Sequence, residues 1–339
     1  MSPNDEQPRA AVTIFDVARL AGVSHQTVSR VLNNLPNVRA ATRERVEQAI
    51  RQLNYVPSQA ARALVTRRSR TIGLVATGLP DFGPSSVVLS FNRSARAEGY
   101  AVIASHPADI EGPTLRSAAE MLIRQSVEAI VLLAAERSVL DAFDGWELGV
   151  PLIAIASEAR GRSARVGLDQ YGGARRAVGH LQELGHRDIV HIAGPVASMD
   201  AEERLRGWRD ALNDAGMPAA EPLRGDWSSE SGYRLGRSLL DQRTLEAVFV
   251  GNDQMTLGFL HALHDAGLRV PEDVSVVGFD DIPDAAHFSP PLTTVRQDFT
   301  ALGRDAVTAV LAQLKDDDTP VQGTAQIPEL VIRASTRRR

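Results

Sequence analysis

The first segment of this 339-residue chain whose residue types could do chemistry together is Ser24-His25-Gln26-Thr27-Val28-Ser29-Arg30-Val31-Leu32-Asn33. Wound as a helix capped by Ser24, it gathers Val28, Val31 and Leu32 into an apolar stripe. The other face carries small hydroxyls, an imidazole, an amide and a guanidinium, which are hydrogen-bonding groups suited to phosphates and base edges. The chemistry predicted is recognition rather than bond making. Asp280 and Asp281 are the obvious carboxylate pair near a strand end, but consecutive residues point apart, and no Ser-His-Asp motif or metal-spaced histidine cluster accompanies them. Tyr171-Gly172-Gly173 is too short for a Walker or dinucleotide loop. Cysteine is absent, which removes disulfides, thiol nucleophiles and thiolate metal sites. No enzymatic role, cofactor or metal is expected.

The readout helix needs elements to hold it. Thr13 with Asp16 reads as an N-cap and its acidic partner, and the helix they open ends at Ala21-Gly22, where glycine permits a left-handed turn. A third amphipathic helix is predicted from about 41 to 53, with Val46, Ile50 and Leu53 inward. Pro57 suits a first helical position, and the small-residue segment 58–64 that follows is a helix too short to be stable alone. Charge follows the same division. Between residues 12 and 70 ten arginines stand against Asp16, Glu44 and Glu47, a local +7 in a chain of net −5, so the remainder carries −12. A basic head on an acidic body is the layout of a protein that meets phosphate at one end.

From residue 71 the pattern becomes alternating strands and helices, the mark of parallel α/β sheets. Strands are predicted at 71–76, 101–105, 128–134, 151–156, 188–193, 246–251 and 274–278, with a last strand-like segment at 325–334. A break near Gly167-Leu168-Asp169 points to two doubly wound lobes with a ligand cleft between them. The polar segment 1–11 has no signal-peptide pattern, and no apolar run approaches the roughly 20 residues of a membrane span. A soluble, cytoplasmic protein without membrane partners is expected.

The helix-turn-helix run resembles the DNA-binding domain of the lactose/galactose repressor family, and the similarity continues over nearly the whole chain. It is carried by Val38-Arg39 with Thr42-Arg43, Leu53-Asn54-Tyr55-Val56-Pro57, Ala61-Arg62-Ala63-Leu64 and Leu184-Gly185-His186. Further on it is carried by Arg224-Gly225-Asp226-Trp227-Ser228, Gly251-Asn252-Asp253-Gln254-Met255, Val276-Val277-Gly278-Phe279-Asp280-Asp281, Pro291-Leu292-Thr293-Thr294-Val295 and Gln297-Asp298-Phe299. The resemblance implies a helix-turn-helix headpiece, a hinge helix and a two-lobed periplasmic-binding-protein-like core of doubly wound parallel sheets. The expected boundaries are a tail at 1–11, headpiece at 12–57, hinge and linker at 58–70, core at 71–335 and basic tail at 336–339. Within the core, one lobe is expected at about 71–168 with 298–325, the other at about 169–297 with 326–335.

By resemblance, His25, Gln26 and Arg30 choose bases, while Thr13, Ser24, Thr27, Ser29, Asn33 and Tyr55 contact phosphate or position the headpiece. Leu64 matches a hinge leucine that wedges into the minor groove and kinks the DNA; Ser58 departs from the asparagine frequent at the hinge start. In the cleft, Trp227 would stack on a sugar ring, Asn252 and Asp280 would bond hydroxyls, and Phe82 and Gln297 would line the walls. Glu202 aligns with a sugar-gripping arginine of the family, with Arg204 nearby, and Ala156 with a pocket aspartate. These departures imply a larger or differently substituted mono- or disaccharide effector. The implied protein is a transcriptional repressor of carbohydrate uptake or catabolism genes, a homodimer on palindromic operator DNA. Relief of repression by the sugar and corepression are both compatible with the resemblance. Ser335-Thr336-Arg337-Arg338-Arg339 is too short for the leucine-heptad helix that makes tetramers in the family, so a dimer with a solvated basic end is expected.

Overall fold

The computed structural model describes residues 12–56, 68–78, 81–157, 164–242, 244–315 and 328–339. The chain forms two compact units, Met1–Ser69 and Arg70–Arg339. The expected tail at 1–11 and the hinge helix at 58–64 lie outside the described residues.

The first unit is α1 (Ile14–Ala21), α2 (His25–Leu32) and α3 (Ala40–Leu53). The Asp16 carboxylate accepts from the Thr13 backbone N–H at 2.9 Å and from its hydroxyl at 2.7 Å, which fixes the entry to α1. Gly22 ends that helix at φ 62°, a conformation that would strain a side chain. Ser24 Oγ then accepts from the Thr27 N–H at 3.2 Å and caps α2. Val17, Ala18, Ala21, Val28, Val31, Val46 and Ala49 meet as the core.

The second unit holds two sheets. β1 (Thr71–Ala76), β2 (Ala101–Ser105), β3 (Ala129–Leu133), β4 (Leu152–Ile155) and β5 (Ala164–Val166) pair in the order β2-β1-β3-β4-β5, all parallel. α4 (Phe82–Ala97), α5 (Gly112–Arg124) and the short α6 (Arg137–Asp141) join them. After β5 the chain leaves for the second sheet through α7 (Gln170–Glu183). There β6 (Ile189–Ala193), β7 (Leu223–Arg224), β8 (Ala247–Val250), β9 (Ser275–Asp280), β10 (Thr293–Arg296) and β11 (Glu329–Val331) lie in the order β11-β10-β9-β8-β6-β7. Only the β10–β11 pair among them is antiparallel. α8 (Met199–Asp214), α9 (Ser229–Leu240) and α10 (Asp253–Asp265) serve this sheet, and α11 (Phe299–Gln313) returns to pack on α4 of the first. β1, β3 and β9 are buried along their whole length, as strands covered by helices on both faces must be. β5, β7 and β10 were not expected from the sequence.

Helices of the second lobe start from side-chain caps at the ends of parallel strands: Asp169, Ser198, Ser228 and Asn252 each accept a backbone N–H of the first turn. These starts put polar groups at the carboxyl edge of the sheet, the usual mouth of a ligand crevice. The two lobes touch there. The Met199 N–H donates to the Ala135 carbonyl at 3.0 Å, Ser198 bridges Glu136 in antiparallel fashion, and the Met199 side chain is buried in the first lobe's core.

The side chains of Arg337, Arg338 and Arg339 are exposed, as expected of a solvated basic end, but the backbone of the segment is bonded to the second lobe. Ser335 is fully buried and its hydroxyl donates to the Val276 carbonyl at 2.6 Å. The Arg337 N–H donates to Ser275 Oγ at 3.2 Å, the Arg339 N–H donates to the Leu184 carbonyl at 3.0 Å, and the Arg339 guanidinium lies 2.8 Å from Glu246. The segment is an anchored edge of the second lobe.

Candidate functional site

On α2, Ser24, His25, Gln26 and Arg30 are exposed, while Thr27, Ser29 and Asn33 are half-buried along its flank. The buried stripe is Val28 and Val31, so the side chains expected to read bases share the solvent face. Phe15 of α1 lies 5.2 Å from the His25 ring and supports one side of it. Thr13 is committed to Asp16, Thr27 to the Ser24 hydroxyl at 3.0 Å, and Asn33 Nδ2 donates to the Ser29 carbonyl at 2.9 Å. Tyr55 packs at the core's edge. Leu64 lies outside the described residues. Arg43, which the sequence reading quoted only within a motif, reaches back from α3 to Asn34 Oδ1 at 3.0 Å and the Leu35 carbonyl at 3.3 Å, fixing the loop behind α2.

The second candidate is the cleft between the two lobes of the larger unit. Its walls bring together Phe82, Arg204, Trp227, Asn252, Asp280 and Gln297. Phe82, at the start of α4, meets Phe299 edge-on at 5.8 Å and also packs against the second lobe's core. Trp227 is held at φ 74° after Asp226, and Gly194 beneath it leaves space that a Cβ would fill into the indole. Asn252 is a cap as well as a lining residue. Its Oδ1 accepts from the Met255 N–H at 2.9 Å and its Nδ2 donates to the Trp227 carbonyl at 3.1 Å.

The floor is a closed ring of hydrogen bonds. Arg204 Nε donates to Gln170 Oε1 at 2.9 Å, Gln170 Nε2 to Gln297 Oε1 at 2.7 Å, and Gln297 Nε2 to Asp280 Oδ1 at 2.7 Å. Asp280 closes the ring on Arg204 at 3.4 Å. A further Arg204 nitrogen donates to the Gly251 carbonyl, and the guanidinium lies 3.9 Å from the centroid of Phe279. Burial pushes the Asp280 carboxyl up to about 6, against the opposing pull of Arg204 and Gln297. Its backbone sits at φ 110°, a strained position for a non-glycine residue and one common at ligand sites. Asp281 turns the other way, to Arg296 at 2.7 Å and Arg333 at 2.6 Å, so the two aspartates do not act together. Asp253, fully buried below, accepts from Thr294 Oγ1 at 2.7 Å and from the Ile282 N–H at 2.9 Å, and so ties down the loop after Asp280.

Glu202 does not take the place expected for it. It is exposed on α8 and pairs with Arg224 at 2.7 Å, away from the lining. The guanidinium that α8 brings to the cleft is that of Arg204, two residues on and about 200° around the helix. Ala156 does line the cleft, beside Ser157, whose hydroxyl bonds Asp200 across from the other lobe. Sequence reasoning missed Asp200, Ser157, Asp81 and Gln170. Asp200 and Gln170 sit in first turns of helices, where a polar residue reads as ordinary capping.

The description "bacterial regulatory proteins, lacI family" matches residues 13–58, and a periplasmic binding protein-like domain matches residues 178–336. The chain is 35% identical over 327 residues to the lactose operon repressor of Escherichia coli (strain K12), covering 96% of this chain and 90% of that one. A crystal structure of the lac repressor dimer bound to operator and the anti-inducer ONPF is similar at a TM-score of 0.87 and 33% identity, covering 96% of this chain and 99% of that one. The transcriptional regulator CelR in complex with cellobiose is similar at a TM-score of 0.72 and 34% identity, covering 96% of this chain and 99% of that one. With an exposed polar face on a capped second helix and a two-lobed core, the chain belongs to the lacI family of bacterial regulatory proteins, DNA-binding transcriptional repressors that are not enzymes.

Proposed function

We propose that this repressor binds a palindromic operator as a homodimer in the cytoplasm and leaves it when a mono- or disaccharide occupies the cleft. His25, Gln26 and Arg30 choose bases; Ser24, Thr27, Ser29, Asn33, Thr13 and Tyr55 contact phosphate or hold α2 in place. Leu64 wedges at the operator centre from a hinge helix that orders on DNA. The observation that carries the effector reading is the cleft floor. It sets an indole, Trp227, beside a buried carboxylate held by Gln297 and Arg204, an apolar platform next to a fixed acceptor. A saccharide ring matches that pairing of an apolar face with donor hydroxyls. The complexes of relatives with operator and with cellobiose support both halves of the reading. Genes of carbohydrate uptake or catabolism are the fitting targets.

Two measurements test this. A thermal-shift screen of the full chain against mono- and disaccharides, run with and without selected operator DNA, should give a stabilising sugar whose effect shrinks when DNA is present. Binding-site selection with His25→Ala and Gln26→Ala combined should shift the preferred half-site, since each correctly read base pair contributes about 1–3 kcal/mol of discrimination. An unchanged selection profile would remove these residues from the readout.

A further inference from the structure

We infer that the cleft selects its ligand by charge, accepting saccharides without negative charge and refusing their phosphorylated or carboxylated forms. The inference rests on the saccharide reading of the cleft and narrows it. Among the described residues, the charged side chains lining the cleft are Asp81, Asp200, Asp280 and Arg204. Arg204 is the one cation of that set, and it is engaged by the protein. Its nitrogens serve Gln170, the Gly251 carbonyl and Asp280, and its flat face is covered by Phe279 at 3.9 Å. Arg224, the next guanidinium behind the wall, is paired with Glu202 at 2.7 Å and turns toward the Gly194 carbonyl at 3.4 Å.

The acceptors are in surplus. Among the described residues the Asp81 carboxylate has no hydrogen-bond partner. One Asp200 oxygen takes the Ser157 hydroxyl, and Asp280 receives both of its donors on Oδ1. The amide of Asn252 donates to the Trp227 carbonyl at 3.1 Å and to Gln254 Oε1 at 3.0 Å, which uses both of its protons. Beside Asp81, Asp226 lies closely enough that its charge adds to burial in holding the Asp81 carboxyl above its usual range, while Arg234 acts on Asp226 from the outer side. A polyol brings protons to these lone pairs. A phosphate or carboxylate brings more lone pairs and a like charge, with no free cation among the described lining residues to receive it, and like charges brought together in a binding site disfavour the complex strongly.

The test is calorimetry on the full chain with glucose, lactose, cellobiose and trehalose, each titrated beside its 6-phosphate, and with glucuronate beside glucose. At least one uncharged sugar should saturate the protein while its anionic counterpart binds at least about 100-fold more weakly. The double variant Asp81→Asn with Asp200→Asn keeps the shape of both side chains, so the ratio should fall by about tenfold or more as the field is removed. An anionic sugar that binds as tightly as its neutral partner, or a ratio unchanged in the double variant, overturns charge selection while leaving a saccharide site in place. No binding by any member of the panel overturns the saccharide reading and this inference together.

Discussion

Asp280 shows how much one side chain does in the cleft: it is buried, strained at φ 110° and bonded to both Gln297 and Arg204. Burial pushes its carboxyl up to about 6 in the folded chain, above the ordinary 3.8 of a solvated aspartate. Between those values the folded state keeps a proton that the unfolded state has lost, so the associated stability is present in full below pH 3.8 and is lost as pH rises through 6. Asp253 is shifted in the same direction, by burial first and by the charge of Asp280 second, and adds to the trend. Comparing variants separates the two. In urea unfolding at pH 5 and pH 7, Asp280→Asn should show a smaller loss of stability over that interval than the parent, by about 1 kcal/mol. Arg204→Ala removes the one partner charge of a buried pair, and it should lower stability by about 3–5 kcal/mol in the same assay at pH 7. A loss within the range of an exposed substitution would mean that Arg204 is not the keystone of the floor.

At the scale of elements, α2 could be read in advance because Ser24 caps it and Val28 and Val31 repeat at helical spacing. β1, β3 and β9 were legible as apolar runs of buried parallel strands, whereas β5 and β7, of three and two residues, carry too few positions for any period to show. The floor of the cleft was half legible. Asn252, Trp227, Asp280 and Gln297 lie in recognisable motifs, but Gln170 joins them through a contact 127 residues away in sequence, set by the chain's crossing between sheets. Of the two α8 residues expected in the cleft, Arg204 lines it and Glu202 does not, because two residues along a helix turn a side chain to the opposite face. Gly194, just past β6, makes the clearest element-scale prediction, since a Cβ there would fall among the ring atoms of Trp227. Gly194→Ala should tilt the indole and weaken saccharide binding by about tenfold, a partial loss of stacking, with no change in operator affinity in the absence of sugar. Calorimetry and operator titration of that variant check both parts.

Over the whole molecule, control requires that ligand and operator favour different states of one chain. The lobe contacts at the cleft rim, Met199 to Ala135, Ser198 to Glu136 and Ser157 to Asp200, are the ones a ligand between the lobes would hold or break. Linkage makes the effect reciprocal: a sugar that weakens operator binding must itself bind less tightly to the operator complex. The most direct measurement is operator affinity at one fixed salt concentration, with and without a saturating saccharide, for the parent and for Trp227→Ala. The sugar should weaken the parent's operator binding by about tenfold or more, within the usual span of coupling energies. Trp227→Ala should bind operator as the parent does and fail to respond. Equal operator affinity in the presence and absence of a sugar that calorimetry shows to be bound would contradict control of DNA binding by the cleft.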